Sequence, residues 1–391
     1  MEESHLLGNN PRPTTLKRIN MRRFLEELRR RGPSTRADLT RATGVTPPTS
    51  SSIIADLLAT GLLEEGESSI SGKGRPGKFF HLAGSRAFVL GATIDIRTCC
   101  MAPSGLDGKP RAADRVVFDT PNNYRELLDT IVSQAKAITS KTEGKCHGIG
   151  LAVPGLVHSG YGRVSFSPNL HFLDGRDLGS DLEALLGIKV VCTQEEQSLC
   201  LSEQYSGEAD GLTDYAVVDF SSGVGMGVVS GGRYVSGAQG YAGEIGHTTV
   251  EPEGRSCGCG NRGCLETVAS DIALLRNLSD RLGREVDMKE VRTKAGSDPA
   301  VDEEIDRMLS YVAIGLATVV NLFNPEAVFV HGQTFQLSAE VMRNLEMKVK
   351  SRALKPSFEE TEIRLAHGDK LHGAIAGLLN NLFAAVGPIL Q

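Results

Sequence analysis

Glu244-Ile245-Gly246-His247 is followed ten residues on by Cys257-Gly258-Cys259-Gly260-Asn261-Arg262-Gly263-Cys264-Leu265-Glu266. This short Gly-rich stretch holds one imidazole, His247, and three thiols, Cys257, Cys259 and Cys264. Soft thiolates and a neutral imidazole nitrogen are the donor set of a tetrahedral zinc site. Four protein donors fill every position, so the expected zinc is structural and not a Lewis acid with an open site. A chance cluster of small buried cysteines is the alternative. It accounts for neither the spacing nor the flanking Glu244 and Glu266.

The pattern Glu-x-Gly-His, then Cys-x-Cys-Gly-x-x-Gly-Cys-x-Glu, resembles the signature of the ROK family of sugar-responsive repressors, uncharacterised reading frames and sugar kinases, and every signature position is matched. The resemblance runs from about Thr14 to the C-terminus. It implies an α/β chain: a DNA-binding head, then a two-lobed actin-like (ribonuclease H-like) ATPase/sugar-kinase fold that carries the zinc loop.

Composition is consistent with that organisation. At 391 residues, 40% of them hydrophobic, the chain is long for one domain and can bury more than one core. No run of about 18 apolar residues is present to span a bilayer. The start Met1-Glu2-Glu3-Ser4-His5 lacks the layout of a secretory signal, so a cytoplasmic protein with no membrane partner is expected. Cys99, Cys100, Cys146, Cys192 and Cys200 sit in apolar runs typical of buried free thiols, and no disulfides are expected. Residues 1–80 hold 13 Lys or Arg against 9 Asp or Glu, net +4; the remainder hold 29 against 39, net −10. A basic head on an acidic body suggests an anionic partner for the head, although a solvated helix face gives the same count.

The spacing of Met21, Phe24, Leu25 and Leu28 predicts a helix that Gly32 and Pro33 stop. Ser34 or Thr35 can cap a second helix through Ala37, Leu39 and Ala42, and Thr43-Gly44-Val45 makes the turn of a helix-turn-helix. Thr46 can cap a third helix with Pro47 at its first position, buried through Ile53, Ile54, Leu57 and Leu58. Residues 61–82 read as a hairpin wing, so residues 1–82 form a winged helix-turn-helix. Thr46, Thr49, Ser50 and Ser51 are its candidate DNA-contacting hydroxyls. No Arg or Lys lies between Thr46 and Leu58, where family members commonly place a basic residue, which argues against bidentate guanine reading by this helix. Arg36, Arg41, Lys73, Arg75 and Lys78 are candidate phosphate contacts, with Arg75 suited to a narrow minor groove. The stretch 73–78 also reads as a flexible linker, and the two readings are compatible.

From Ala87 onward, strands alternate with helices. Strands are expected at 88–94, 147–153, 189–192, 215–220 and 327–330, and helices at 124–139, along 308–323 and near 373–383. Residues 83–391 are therefore assigned to the ROK portion. Lobe one spans about 83–200 plus the last helix, 373–391, and lobe two about 201–372.

The resemblance places a sugar in the cleft, held by Asn169, Gln194, Glu195, Glu244, His247 and Glu266. Asn169 has a second reading as a turn-forming residue. His247 would give one ring nitrogen to zinc and the other to a hydroxyl. Sugar kinases of the family use an Asn-Asp pair, with Asp as general base, and Gly-rich phosphate turns. Here Gln194-Glu195 stands in place of the pair, one methylene longer at each position. The first phosphate turn reads Thr93 to Arg97 in one register or begins at Asp95 in another, and neither has the Gly pair. The second, Ser221 to Gly227, keeps three glycines but not the leading one, and His331-Gly332-Gln333 replaces the adenosine turn. The expected protein is a transcriptional regulator, a homodimer or homotetramer on an operator of double-stranded DNA. It responds to a sugar or sugar derivative and has no catalytic residues; the alternative is an active or bifunctional ATP-dependent sugar kinase.

Overall fold

The computed structural model describes residues 13–66, 78–158 and 162–386. The head comprises α1 (Pro13–Arg31), β1 (Ser34–Thr35), α2 (Arg36–Thr43), α3 (Pro47–Ala59), β2 (Leu63–Gly66) and β3 (Phe79–Leu82). Its three strands pair antiparallel in the order β1-β3-β2, the winged arrangement the sequence predicts. Thr35 caps α2 through a box in which its side chain accepts from the Asp38 amide and Asp38 accepts from the Thr35 amide. Gly44 turns the chain into α3 at a left-handed φ of 69°. Thr46 precedes Pro47, but its hydroxyl faces that of Thr49 at 2.9 Å and makes no cap bond. Phe24, Leu25, Leu28, Leu39, Ile53, Ile54 and Leu57 are buried, while Leu58 is half-buried.

The next elements are β4 (Ala87–Ile94), β5 (Thr98–Ser104), β6 (Val116–Asp119), α4 (Tyr124–Lys141), β7 (Lys145–Val153), β8 (Leu156–Val157), β9 (Val164–Phe166), α5 (Leu178–Leu186), β10 (Val190–Gln194) and α6 (Glu195–Ser206). They build a five-stranded sheet ordered β10-β7-β4-β5-β6. A second set follows: β11 (Tyr215–Asp219), β12 (Gly225–Ser230), β13 (Arg233–Tyr234), α7 (Glu266–Ala269), α8 (Asp271–Leu282), α9 (Met288–Lys294), α10 (Pro299–Phe323), β14 (Ala327–His331), α11 (Ala339–Lys350), α12 (Lys355–Glu359), β15 (Glu362–Leu365) and α13 (Lys370–Val386). Its sheet runs β13-β12-β11-β14-β15.

Both sheets repeat one plan. The first strand is central, two antiparallel strands lie to one side, and two parallel crossover strands lie to the other. This is the duplicated α/β architecture of the actin-like sugar-kinase fold. The helix α10 is long and apolar enough by length and composition to cross a membrane, and more than half of that stretch is buried. It forms the spine of the second lobe's core, where Met308, Val312, Leu316 and Val319 pack with Val218 and Val330.

The last helix returns to the first sheet. A Cβ on Gly150 would sit 1.9 Å from the Ala374 carbonyl oxygen, so only glycine in β7 lets α13 lie so close. The buried Leu371, Ile375, Leu378, Leu379 and Phe383 of α13 share one apolar cluster with Phe24, Leu25 and Leu28 of α1. Head and first lobe are thus joined by a common core. Arg18 donates to the Ala385 and Val386 carbonyls at 2.7 and 2.8 Å.

Candidate functional site

The short turn Ile245–His247 presents His247 to the loop that follows. Bridges between Thr249 and Cys264 and between Ser256 and Arg262 pinch that loop shut. The four donor atoms of His247, Cys257, Cys259 and Cys264 lie within 4.8 Å of one another, so these residues could hold a metal such as zinc. Cys259 and Cys264 sulfurs are 3.8 Å apart, and Cys257 Sγ is 3.6 Å from His247 Nδ1. A tetrahedron with Zn–S bonds of about 2.3 Å has edges of about 3.8 Å, so the spacing fits the ion. The other ring nitrogen, Nε2, is 3.7 Å from Glu244.

The parallel strands of both sheets end in polar groups, the usual place for ligands in such sheets. Asp95 follows β4, Asp219 ends β11, Glu195 follows β10, and His331 ends β14. Lys370, the first residue of α13, reaches all three carboxylates: Glu195 at 2.7 Å, Asp219 at 2.9 Å and Asp95 at 3.9 Å. His331 Nδ1 lies 2.8 Å from Asp219. Burial alone would lower the Lys370 ammonium, but Asp219 and Glu195 hold it above its ordinary value. Burial would raise Asp219, yet Lys370 and His331 hold it far below. The Glu195 carboxyl goes the other way: burial raises it, Lys370 offsets part of this, and Asp95 and Glu196 add to the rise.

A narrow cavity of about 60 Å³ separates the lobes here. Asn169, Glu195, Glu244, His247 and Glu266 all line it. Asn169 stands exposed, and the amide of Val224 donates to Glu266 at 3.4 Å. Gln194 is 5% exposed and lines a different groove, its amide directed to the Gly155 carbonyl at 3.4 Å. The next residue but one, Glu196, takes a place on the cavity wall.

Both Thr93 and Ile94 belong to β4, and the turn that follows begins at Asp95. Ser222, in the second phosphate turn, donates to Asp95 at 2.8 Å and ties the two lobes together. Beyond Lys370 lies a larger cavity of about 780 Å³, bordered by Arg97, Ser221, His331 and Gln333. Asp271 closes its far wall by accepting from the Gln333 and Thr334 amides and the Thr334 hydroxyl.

On the head, Thr49 is half-buried, and Arg36, Arg41, Thr46 and Ser51 are exposed. Arg36 donates to Ser51 at 3.0 Å, and Arg41 lies 3.4 Å from Asp38. Ser50 corrects the sequence expectation. It is wholly buried and accepts from the Thr40 hydroxyl at 2.8 Å, because α3 turns it toward α2 and away from any DNA. Lys78 is exposed and pairs with Glu65 at 2.7 Å; Lys73 and Arg75 lie outside the described residues.

Sequence reasoning did not single out Lys370, Asp219 or Glu196. Asp219 carried a signal, since a charged residue closes the apolar run Tyr215-Ala216-Val217-Val218. Lys370 carried none beyond its place at the start of an apolar helix.

A family model described as ROK family matches residues 98–379. The xylose repressor of Bacillus subtilis (strain 168) is 27% identical over 351 residues, 87% of this chain and 88% of that one. In fold, a ROK family transcriptional regulator, homolog of the E. coli MLC protein, is similar with a TM-score of 0.78 at 22% identity, over 95% of this chain and 99% of that chain. A ROK family glucokinase from Streptomyces griseus, in complex with glucose and AMPPNP, is similar with a TM-score of 0.68 at 21% identity, over 74% of this chain and 97% of that chain.

Proposed function

The chain belongs to the ROK family, and from that premise we propose that it is a DNA-binding transcriptional repressor of carbohydrate-metabolism genes. Residues 1–82 form the operator-binding head, and a sugar or sugar derivative bound between the lobes of residues 83–391 governs it. The observation that carries the reading is the winged helix-turn-helix seated on the first lobe through α13. The match to the xylose repressor, over 87% of the chain, supports it.

In the head, Thr46 just before α3 and Thr49 and Ser51 within it serve as DNA contacts, with Arg36, Arg41 and Lys78 beside them for phosphates. Two heads in a dimer or tetramer then meet half-sites about 34 Å apart. In the cleft, Asn169, Glu244, His247 and Glu266 accept or donate to sugar hydroxyls. His247, Cys257, Cys259 and Cys264 would hold zinc, which would supply no chemistry beyond fixing the loop. His247 keeps one nitrogen for the metal and turns the other to the pocket, and Glu266 follows directly on the loop.

The cleft does not act as a kinase in this proposal. A transferred phosphoryl group would cross from the larger cavity to the sugar, past the point where Lys370 spans Asp219 and Glu195. The candidate base is thereby engaged by an internal cation, and Asp95, bonded to Ser222, stands where backbone amides would meet phosphate.

The test is selection of the site that the full chain binds from a pool of random double-stranded DNA, followed by fluorescence anisotropy on that site over a salt series. Site-specific binding that weakens with salt is expected. ATP turnover on a hexose panel should stay at background. Phosphorylation that disappears in Glu195→Gln, without operator binding, would put the kinase reading first.

A further inference from the structure

The pocket has a charge imbalance that bears on its occupant. Its wall carries six carboxylates, Asp95, Glu195, Glu196, Asp219, Glu244 and Glu266, and no Lys or Arg. Lys370 reaches three of them from behind and is already shared between Glu195 and Asp219. Glu196, Glu244 and Glu266 form no ion pair with any Lys or Arg among the described residues. A zinc ion with three thiolates and a neutral imidazole carries a net negative charge and relieves nothing.

Glu196 is the residue that sets the sign. It stands in the first turn of α6, where the helix N-terminus favours a carboxylate. Its side chain lies against Gly225, so close that any Cβ there would collide with it. Glu244 lines the same wall and, after burial, raises the Glu196 carboxyl most, and each added negative group in so narrow a space raises the cost of the next. Sugar hydroxyls donate to carboxylates but leave that repulsion in place. A phosphate or carboxylate on the ligand increases it. An ammonium removes it while donating three hydrogen bonds.

We propose that the ligand of this cleft is an amino sugar with a free, protonated amine that lies between Glu196 and Glu244, in preference to its unsubstituted, N-acetylated or phosphorylated counterparts. The inference rests on the reading of the cleft as a sugar sensor. It adds the charge of the ligand and names Glu196 as the residue that selects it.

The experiment is isothermal titration calorimetry on the full-length, zinc-loaded protein at about pH 7.5, above the value of about 7 to which burial pushes the Glu196 carboxyl and where a large share of such amines still carries its proton. Glucosamine, galactosamine and mannosamine are each compared with the parent hexose, the N-acetyl derivative and the amino sugar 6-phosphate, with magnesium chloride as a separate arm. One amine should bind at least about tenfold tighter than its parent and its N-acetyl form, with its 6-phosphate weaker still. Glu196→Gln should shrink the gap between amine and parent to within about twofold. A neutral or phosphorylated sugar that binds tighter than every amine overturns the inference and leaves the sugar sensor standing. Magnesium that saturates the pocket and displaces the amine also overturns it. If no member of the panel binds, both readings fall. The comparison on the unaltered protein decides the matter even if the variant does not fold.

Discussion

Lys370 and Glu195 form a 2.7 Å ion pair at the point where two neighbouring helices both begin in the cleft. Each helix leads to the DNA-binding head. Toward the end of α6, Tyr205 lies under the guanidinium of Arg29, 3.4 Å from ring centroid to Cζ. In α13, Asn380 accepts from both Arg29 at 2.8 Å and the Tyr205 hydroxyl at 3.1 Å. Arg29 belongs to α1, so the head is held by the far ends of the two helices whose near ends meet in the Lys370–Glu195 pair. The Nε and Nη1 of Arg29 are buried without partners, which leaves this joint less than fully satisfied. The expectation is that a ligand drawing Glu195 away from Lys370 shifts one helix along the other and disturbs the clamp on Arg29. The narrow cavity, about 60 Å³, lies beside the Ser222–Asp95 bond that joins the two lobes.

Removing the bridging cation tests the near end of that path. Lys370→Met takes the counter-charge from Glu195 and leaves Asp219 with His331 alone, and a loss of about 3–5 kcal/mol is expected in urea unfolding. Adding Asp219→Asn should recover a large part of it, because the pair and not the volume is at fault. Additive losses in the double variant would show that Lys370 stabilises by packing alone.

Metal content is a second check. The purified protein should hold about one zinc per chain by atomic emission, and Cys259→Ser should lose it. Because Glu266 lies two residues after Cys264, sugar affinity should fall more than operator affinity in that variant. Native protein free of zinc that binds its sugar normally would contradict the assignment.

Stability should also fall as pH rises. Burial, and then the proximity of Glu244, push the Glu196 carboxyl up to about 7 from an ordinary 4.5. A raised folded-state value means that the folded protein binds more protons than the unfolded chain between those limits. The contribution of Glu196 is therefore complete below about pH 4.5 and is lost as pH climbs through about 7. His331, raised by Asp219 against the lowering effect of burial, acts in the same direction above its ordinary 6.5. The groups around Glu196 are Glu195, Asp219, Glu244 and Lys370; Lys370 keeps its charge across this range. Unfolding of ligand-free, zinc-saturated protein should lose on the order of 1–3 kcal/mol from pH 5.5 to 8.5, and Glu196→Gln should flatten the decline. A stability that rises over this range would count against the buried-carboxylate account.

Much of this was legible from local pattern. The thiols and imidazole of the metal loop lie within 18 residues, Thr35 and Gly44 mark the ends of α2, and apolar runs mark β4, β7 and β11. What escaped depends on contacts between distant segments. Lys370 lies 175 residues from Glu195, and only the return of α13 to the first sheet brings them together. Ser50 reads as an exposed hydroxyl by residue type alone, although Ile53, Ile54 and Leu57 at i+3, i+4 and i+7 put it on the buried face of α3. Gln194 is expected at the sugar and Glu196 is not, yet at the start of α6 the first lines a different groove and the second lines the cavity.

The central claim is that occupancy of the cleft controls the head, and operator affinity with and without the sugar tests it most directly. The sugar is the one from the calorimetric panel that binds the unaltered protein. A ligand shifts an equilibrium only through its different affinities for the two forms, and couplings of about 1–3 kcal/mol, roughly 5- to 150-fold, are usual. The account predicts that saturating sugar weakens operator binding by a factor in this range, and that Glu266→Ala, measured at the same sugar concentration, loses the response. An operator affinity that does not move when the cleft is filled would contradict it.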